Sequence, residues 1–324
     1  MLRYDFRSPD FATPHADLFR AALEQVKWAD EKGFDMVVVS EHHAADDGYL
    51  PSPLVTCGAF AGATDRIGIN VAALLLPLHD PIRLAEDMAV LDHLSGGRVS
   101  YVCGIGYRQV EFELLGVERQ GRGTRMEEQI AIMRRAWTGE PFTHHGVEVV
   151  VRPTPLTKPH PMLFIGGSTD VAARRAARLG LGFFPAVGDP ALADTYRAEC
   201  DRLGEPHGLV MLPNAGGGFM HVTNDPERDW ERIKPHAVHE AATYASWQVG
   251  PQRSAVTIDT DDPEELRRSG QYLVVTPEEC LALAEERGEM GTLLFHPLMG
   301  GLDPELAWES LELFASAVLP KLRP

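Results

Sequence analysis

The sequence predicts an α/β fold, a single (β/α)8 barrel with insertions, and three observations carry that expectation. Eight short apolar or β-branched runs recur from end to end, helical patterns fill the intervals, and eight cap-then-proline dipeptides mark helix starts. The runs are Leu2 to Phe6, Met36 to Val39, Ile67 to Leu76, Val99 to Cys103, Met162 to Ile165, Gly182 to Phe184, Leu209 to Leu212 and Thr292 to Phe295. Between them the apolar spacing turns helical. Phe19, Leu23, Val26 and Ala29 make one stripe, Leu84, Met88 and Leu91 another, and Met126, Ile130, Met133 and Trp137 a third.

The cap-proline pairs are Thr13-Pro14, Ser52-Pro53, Asp80-Pro81, Asp189-Pro190, Asp225-Pro226, Asp262-Pro263, Thr276-Pro277 and Asp303-Pro304. A short oxygen-bearing side chain at N-cap accepts from an orphan N–H, and proline at N1 has no N–H to lose. Glu265 after Asp262 and Glu279 after Thr276 complete two expected capping boxes.

No stretch has linker composition, so residues 1–324 read as one domain. Its largest insertion, Asn224 to Gln271, carries His236, His239 and two of the five tryptophans, and reads as a helical excursion over one barrel mouth. Phe142 to Pro155 reads as a short β-turn-β extension. A chain of 324 residues can bury roughly three quarters of its unfolded surface. Its 30 basic and 47 acidic residues give a net charge of −17, which argues against nucleic-acid and anionic-membrane partners. Cysteines at 57, 103, 200 and 280 are too dispersed for a disulfide scaffold or zinc ribbon, and no apolar run approaches the ~20 residues of a spanning helix. The expectation is a soluble protein of the reducing cytoplasm.

Three segments can carry chemistry. Ser40-Glu41-His42-His43 follows the second strand at its carboxyl end, where barrels keep reactive groups. An adjacent carboxylate and two imidazoles can ligate a metal, exchange protons or hydrogen-bond a cofactor. No spacing supplies the further ligand a metal site needs, so no metal is expected. Gly166-Gly167-Ser168-Thr169 ends a strand and opens a helix; glycines admit close approach, and the helix N–H groups and hydroxyls suit a phosphate, although the same pattern serves as a plain turn. Cys103-Gly104-Ile105-Gly106-Tyr107-Arg108 is a second glycine loop that can lie against an aromatic ligand, with Cys103 expected in the core.

The order of GFDMVVVSEHH, VAALLLPLHDPIRLAEDMAVLDHLSGGRV, the glycine loop, ERQGRGTRMEEQIAIMRRAWTGEPFTHHG and GGSTDVAARRAARLG resembles the bacterial luciferase-like superfamily of flavin-dependent oxidoreductases. The closing TPEECLALAEERGEMGTLLFHPLMGG is similar to that family's last βα units. The resemblance implies a TIM barrel that takes reduced FMN, usually from a separate flavin reductase, and uses O2 to oxygenate a small organic substrate. It implies that Glu41, His42 and His43 stand near the flavin and that Ala72-Ala73 matches a cis-linked pair beneath the ring. It also implies that Gly104, Gly106 and Tyr107 border the ring and that Gly166, Gly167, Ser168 and Thr169 hold its phosphate. The luciferase's reactive cysteine and phosphate-binding arginine are replaced by Gly104 and Ile105, which argues against light emission and leaves Arg108 or Arg125 to meet the phosphate. A deazaflavin-dependent hydride-transfer enzyme of the same superfamily and a non-enzymatic flavin-binding barrel are the alternatives. The resemblance further implies a homodimer through Cys57 to Ala63 and the helix from Arg83 to Leu94. Phe6, Tyr107 and residues of the insertion are expected to line an apolar substrate pocket.

Overall fold

Nine parallel strands form one sheet in the computed structural model, which describes residues 1–213, 218–248, 258, 260–288 and 291–322. The strands are β1 (Leu2–Tyr4), β2 (Met36–Val39), β3 (Gly68–Leu75), β4 (Val99–Gly104), β7 (Met162–Gly167), β8 (Gly182–Pro185), β9 (Phe219–Val222), β10 (Tyr272–Val275) and β11 (Leu294–Phe295); β5 (Phe142–His144) and β6 (Val147–Val149) form the expected small hairpin. The helices are α1 (His15–Lys32), α2 (Pro53–Ala63), α3 (Pro81–Ser95), α4 (Gln109–Leu114), α5 (Arg122–Ala136), α6 (Asp170–Arg178), α7 (Pro190–Leu203), α8 (Pro226–Trp247), α9 (Pro263–Arg268), α10 (Pro277–Arg287), α11 (Pro304–Leu313) and α12 (Leu319–Leu322).

The spatial order is β10-β9-β11-β1-β2-β3-β4-β7-β8. The first and last strands of the chain are neighbours, with Leu2 opposite Phe295, as the predicted barrel requires, and the edges of the sheet are β10 and β8. The seventh run was misplaced. Leu209 to Leu212 contributes only a single bridge, Val210 to Phe183, whereas Phe219–Val222 and Tyr272–Val275 are full strands. These two are four residues long, and each lies against a polar segment that masks its period.

Six of the eight cap-proline starts hold as drawn, from Asp80, Asp189, Asp225, Asp262, Thr276 and Asp303. Thr13 does not cap, because α1 begins one residue later with Pro14 itself at N-cap, and Ser52 precedes α2 without a side-chain cap bond. Only the Thr276–Glu279 capping box forms; Glu265 instead accepts from Thr260 Oγ1. In α1 the buried face is Leu18, Ala21, Ala22, Gln25, Val26 and Ala29, and the expected Phe19 and Leu23 are partly exposed. The insertion is helical over α8 and α9, with residues 249–257 and 259 outside the described residues.

Candidate functional site

Strand alternation decides what faces the site. Leu2 and Tyr4, Val37 and Val39, Ile69 and Val71, and Tyr101 and Cys103 all point into the buried core. Their neighbours Arg3, Val38, Ala72 and Val102 line an internal cavity of about 800 Å³. The cavity opens among the carboxyl ends of the strands, where Glu41, His42, Gly104 to Tyr107, Gly166 to Thr169 and Phe184 to Ala186 surround it. All the predicted site residues line this one cavity except His43, whose Nε2 bonds Glu41 instead. The Ala72–Ala73 peptide bond is cis, and a Cβ on Gly104 would lie 2.9 Å from the Ala73 Cβ, so glycine is what lets β4 approach β3 here.

Glu41 is buried and fully engaged. One carboxylate oxygen accepts from Leu75 N–H at 2.6 Å; the other lies 2.9 Å from His43 Nε2 and 2.8 Å from His79 Nε2. Burial alone would raise its pKa, but the bonds from His43, His79 and Leu75 outweigh it and hold the carboxyl down to about 2. His79 is raised in return by Glu41 against its own desolvation. His79 was missed in the sequence because it lies in a loop before a capped helix, with only its Asp80 neighbour announcing structure.

His42 Nδ1 sits 2.8 Å from Glu111 Oε1, and Nε2 sits 3.4 Å from Tyr107 Oη. Burial, with Arg7 and Arg108 nearby, lowers the His42 pKa despite Glu111, so the ring is neutral near pH 7. A carboxylate at Nδ1 assigns the proton to that nitrogen and leaves a lone pair at Nε2. Glu111 escaped the sequence reading; the glycine loop that delivers it to His42 gives no local sign of its target.

At the other end of the cavity β7 runs into α6 through Gly166 to Thr169. Gly167 has φ 143°, and a Cβ there would lie 2.6 Å from the Ala172 Cβ; one on Gly166 would lie 2.8 Å from Val102 Cγ1. Thr169 Oγ1 caps the helix by accepting from Ala172 N–H. Arg119, Arg122 and Arg175 line the cavity with this loop. Arg122 is lowered by burial and by the charges of Arg119 and Arg175, and the buried Arg119 Nε has no hydrogen-bond partner. Crowded guanidiniums with an unpaired donor fit an anion. The cations expected from the sequence are committed elsewhere: Arg108 to His43 and Ala44 carbonyls and the Trp247 ring, Arg125 to the Glu118 carbonyl.

Helix α8 brings Tyr244 to the cavity lining and Trp247 beside His42, with ring centroids 5.0 Å apart. His236 and His239 bond Gly300 O and Asp47 rather than the cavity. Phe6 stacks on Phe19 with ring centroids 4.1 Å apart and is not on the cavity wall. Asp5, Glu240 and His296 cluster within reach of a common ion, but Arg3 and Arg7 already stand against their carboxylates. Cys103 is buried, and burial pushes its thiol up to about 12, which removes it as a nucleophile.

A parallel barrel whose carboxyl-terminal mouth joins an anion cradle to an imidazole–carboxylate cluster across an apolar cavity has the construction of a cofactor-using barrel enzyme. The chain belongs to the luciferase-like monooxygenase family, whose sequence profile matches residues 6–292. A 4-hydroxyprotoasukamycin monooxygenase of Streptomyces nodosus subsp. asukaensis is 29% identical over 349 residues, 92% of this chain and 85% of that protein. An F420-dependent glucose-6-phosphate dehydrogenase of Nakamurella multipartita is 26% identical, covering 91% of this chain and 90% of its own. Several uncharacterized bacterial relatives are matched over only about half their length, 50% in one case. The oxygenating constituent of 3,6-diketocamphane monooxygenase from Pseudomonas putida, solved in complex with FMN, shares the fold at a TM-score of 0.73 and 19% identity, covering 99% of this chain and 97% of that one. The relatives with a stated activity are oxidoreductases, both monooxygenases and F420-dependent enzymes. Among the described residues no helix is long and apolar enough to cross a membrane.

Proposed function

We propose that the protein is a flavin-dependent monooxygenase that uses reduced FMN and O2 to oxygenate a small organic substrate. The observation that carries this reading is the anion cradle at Gly166 to Thr169, faced by Arg119, Arg122 and Arg175, in the same cavity as Glu41 and His42. Gly166, Gly167, Ser168 and Thr169 with these arginines would hold the phosphate, and Ala72, Ala73, Gly104, Gly106 and Tyr107 would border the ring. Bound reduced FMN supplies the electrons that activate O2. The chain's own residues position and shield. Glu41, fixed by His43 and His79, holds a permanent negative charge at the wall, and neutral His42 offers a lone pair at Nε2 while Glu111 keeps its tautomer. Helix α8 covers the mouth against water.

Reduced FMN would arrive from a separate reductase, and the four buried, free cysteines suit a reducing cytoplasm. A second reading, deazaflavin-dependent hydride transfer, is favoured by the likeness to an F420-dependent dehydrogenase over nine tenths of both chains. Titration with FMN and with F420, followed by oxygen uptake with a flavin reductase, separates the two. Tight F420 binding without FMN binding overturns the monooxygenase reading.

His42→Ala is expected to keep the fold while product formed per FMNH2 oxidised falls at least tenfold, because a positioned proton-exchanging group contributes about 10²–10⁴ in rate. Unchanged coupling in the variant would remove His42 from the reaction.

A homodimer through α2 and α3 is also proposed. Val55, Val90 and Leu94 are exposed there, and Gly58 and Gly62 have open space around them. Light scattering at micromolar concentration should return twice 35.6 kDa, and a monomeric mass would reject this face.

A further inference from the structure

The proposed roles leave one part of the cavity lining unused, beside His42. There Arg3 from β1 donates to Tyr244 Oη from α8 at 2.8 Å, and Tyr244 Oη lies 3.0 Å from Tyr49 Oη. All three residues line the cavity and are buried, Arg3 at 9% and Tyr49 at 2% exposure. The protons of this chain can be counted. Two phenols carry two O–H hydrogens; the Tyr244 oxygen accepts from Arg3, and the phenol–phenol bond consumes one hydrogen whichever ring donates. One O–H hydrogen is left over, and none of the described residues accepts it. A buried donor in that position calls for an acceptor from the cavity.

Charge selects the kind of acceptor. Arg3 faces Glu240 at 3.7 Å, while Arg7, stacked on both tyrosine rings, faces Asp5 at 3.4 Å and Asp47 at 3.1 Å. Three carboxylates balance the two guanidiniums in charge, although Arg3 Nη1 and Arg7 Nη2 make no hydrogen bond of their own, so the spare phenol donor is an uncharged hydroxyl beside compensated cations. The wall around it, with Val38, Phe219 and Leu294, is apolar.

We infer that Tyr49 and Tyr244, backed by Arg3, anchor the neutral carbonyl oxygen of an otherwise apolar organic substrate. The inference rests on the monooxygenase reading of this cavity and narrows its substrate class to compounds bearing a ketone-type oxygen.

Calorimetric titration of the FMN-loaded and the flavin-free protein with 2-adamantanone, 2-methyleneadamantane and adamantane-1-carboxylate tests it. The wild type should bind the ketone about three- to tenfold more tightly than the methylene analogue, the size of one neutral hydrogen bond. The Tyr49→Phe/Tyr244→Phe double variant should erase that preference, whereas each single variant still leaves one unspent O–H and should keep part of it; the affinity for the methylene analogue and for FMN should stay at the wild-type value. Equal binding of ketone and methylene analogue by the wild type overturns the anchor, as does tighter binding of the carboxylate. Normal FMN binding without ketone preference sinks the anchor alone. Ketone preference in a protein that does not bind FMN upholds the anchor and sinks the cofactor reading.

Discussion

Gly167→Val is expected to abolish tight FMN binding, whereas Ser168→Ala should weaken it only about ten- to a hundredfold. Two independent obstacles meet at Gly167. Its φ of 143° lies where side-chain-bearing residues rarely go, and a Cβ would sit 2.6 Å from the Ala172 Cβ inside the first turn of α6. Relieving either obstacle moves the loop, and with it the N–H groups of the helix start. Ser168→Ala leaves the backbone in place and removes one hydroxyl facing a charged ligand, a loss of roughly 1.5–3 kcal/mol. Riboflavin supplies the control, since it lacks the phosphate: it should bind the wild type weakly and lose little further in Ser168→Ala. Fluorescence titration of both flavins, with circular dichroism to establish folding, reads all of this. Equal affinity of the wild type for FMN and riboflavin would mean that Gly166 to Thr169 is an ordinary turn.

Acid should strip a large increment of stability at Glu41. Its carboxyl is held from 4.5 down to about 2 in the folded chain. A group with a depressed folded pKa stabilises above its unfolded value and loses that contribution as pH falls through the folded one. Here the increment is about 3 kcal/mol, complete above roughly pH 4.5 and gone near pH 2. His79 runs the other way: its folded pKa is raised, so its contribution is complete below its unfolded value and fades as pH rises through the folded one. Glu41→Gln cannot titrate. Denaturant midpoints for wild type and Glu41→Gln should therefore differ widely at pH 6 and converge toward pH 3. A difference that stays constant across that range would assign the stabilisation to packing and not to charge.

The barrel was legible because its signals are local. A cap-proline start needs only its own first turn, and six of them, five Asp-Pro and one Thr-Pro, form where the sequence puts them. Most strand runs bounded by turns could be picked out, but Phe219–Val222 and Tyr272–Val275, four residues long each, were not, although each keeps an apolar face, and Leu209 to Leu212 acquires no more than one bridge. The site divides along the same line. Glu41, His42 and the Gly166 to Thr169 loop lie beside strand ends and could be picked out. Glu111 and His79 reach His42 and Glu41, and Arg119, Arg122 and Arg175 reach the cavity, from loops and helices whose direction is fixed only by tertiary packing. The choice of Arg108 and Arg125 shows the cost: both were near in sequence, and both are spent on backbone carbonyls or, for Arg108, an indole face.

Trp247 stands between two cations, with Arg108 3.9 Å from its ring centroid and Arg7 4.8 Å away. Arg7 follows β1, Arg108 follows β4, and the indole is the last residue of α8, so three distant parts of the chain meet on one ring. Each guanidinium also has a carboxylate beside it, Asp5 and Asp47 for Arg7 and Glu111 for Arg108, and the electron-rich ring adds an attraction to both. Trp247 thus works as a keystone. Loading from either side tightens the arch, and its removal would release the roof and both footings together.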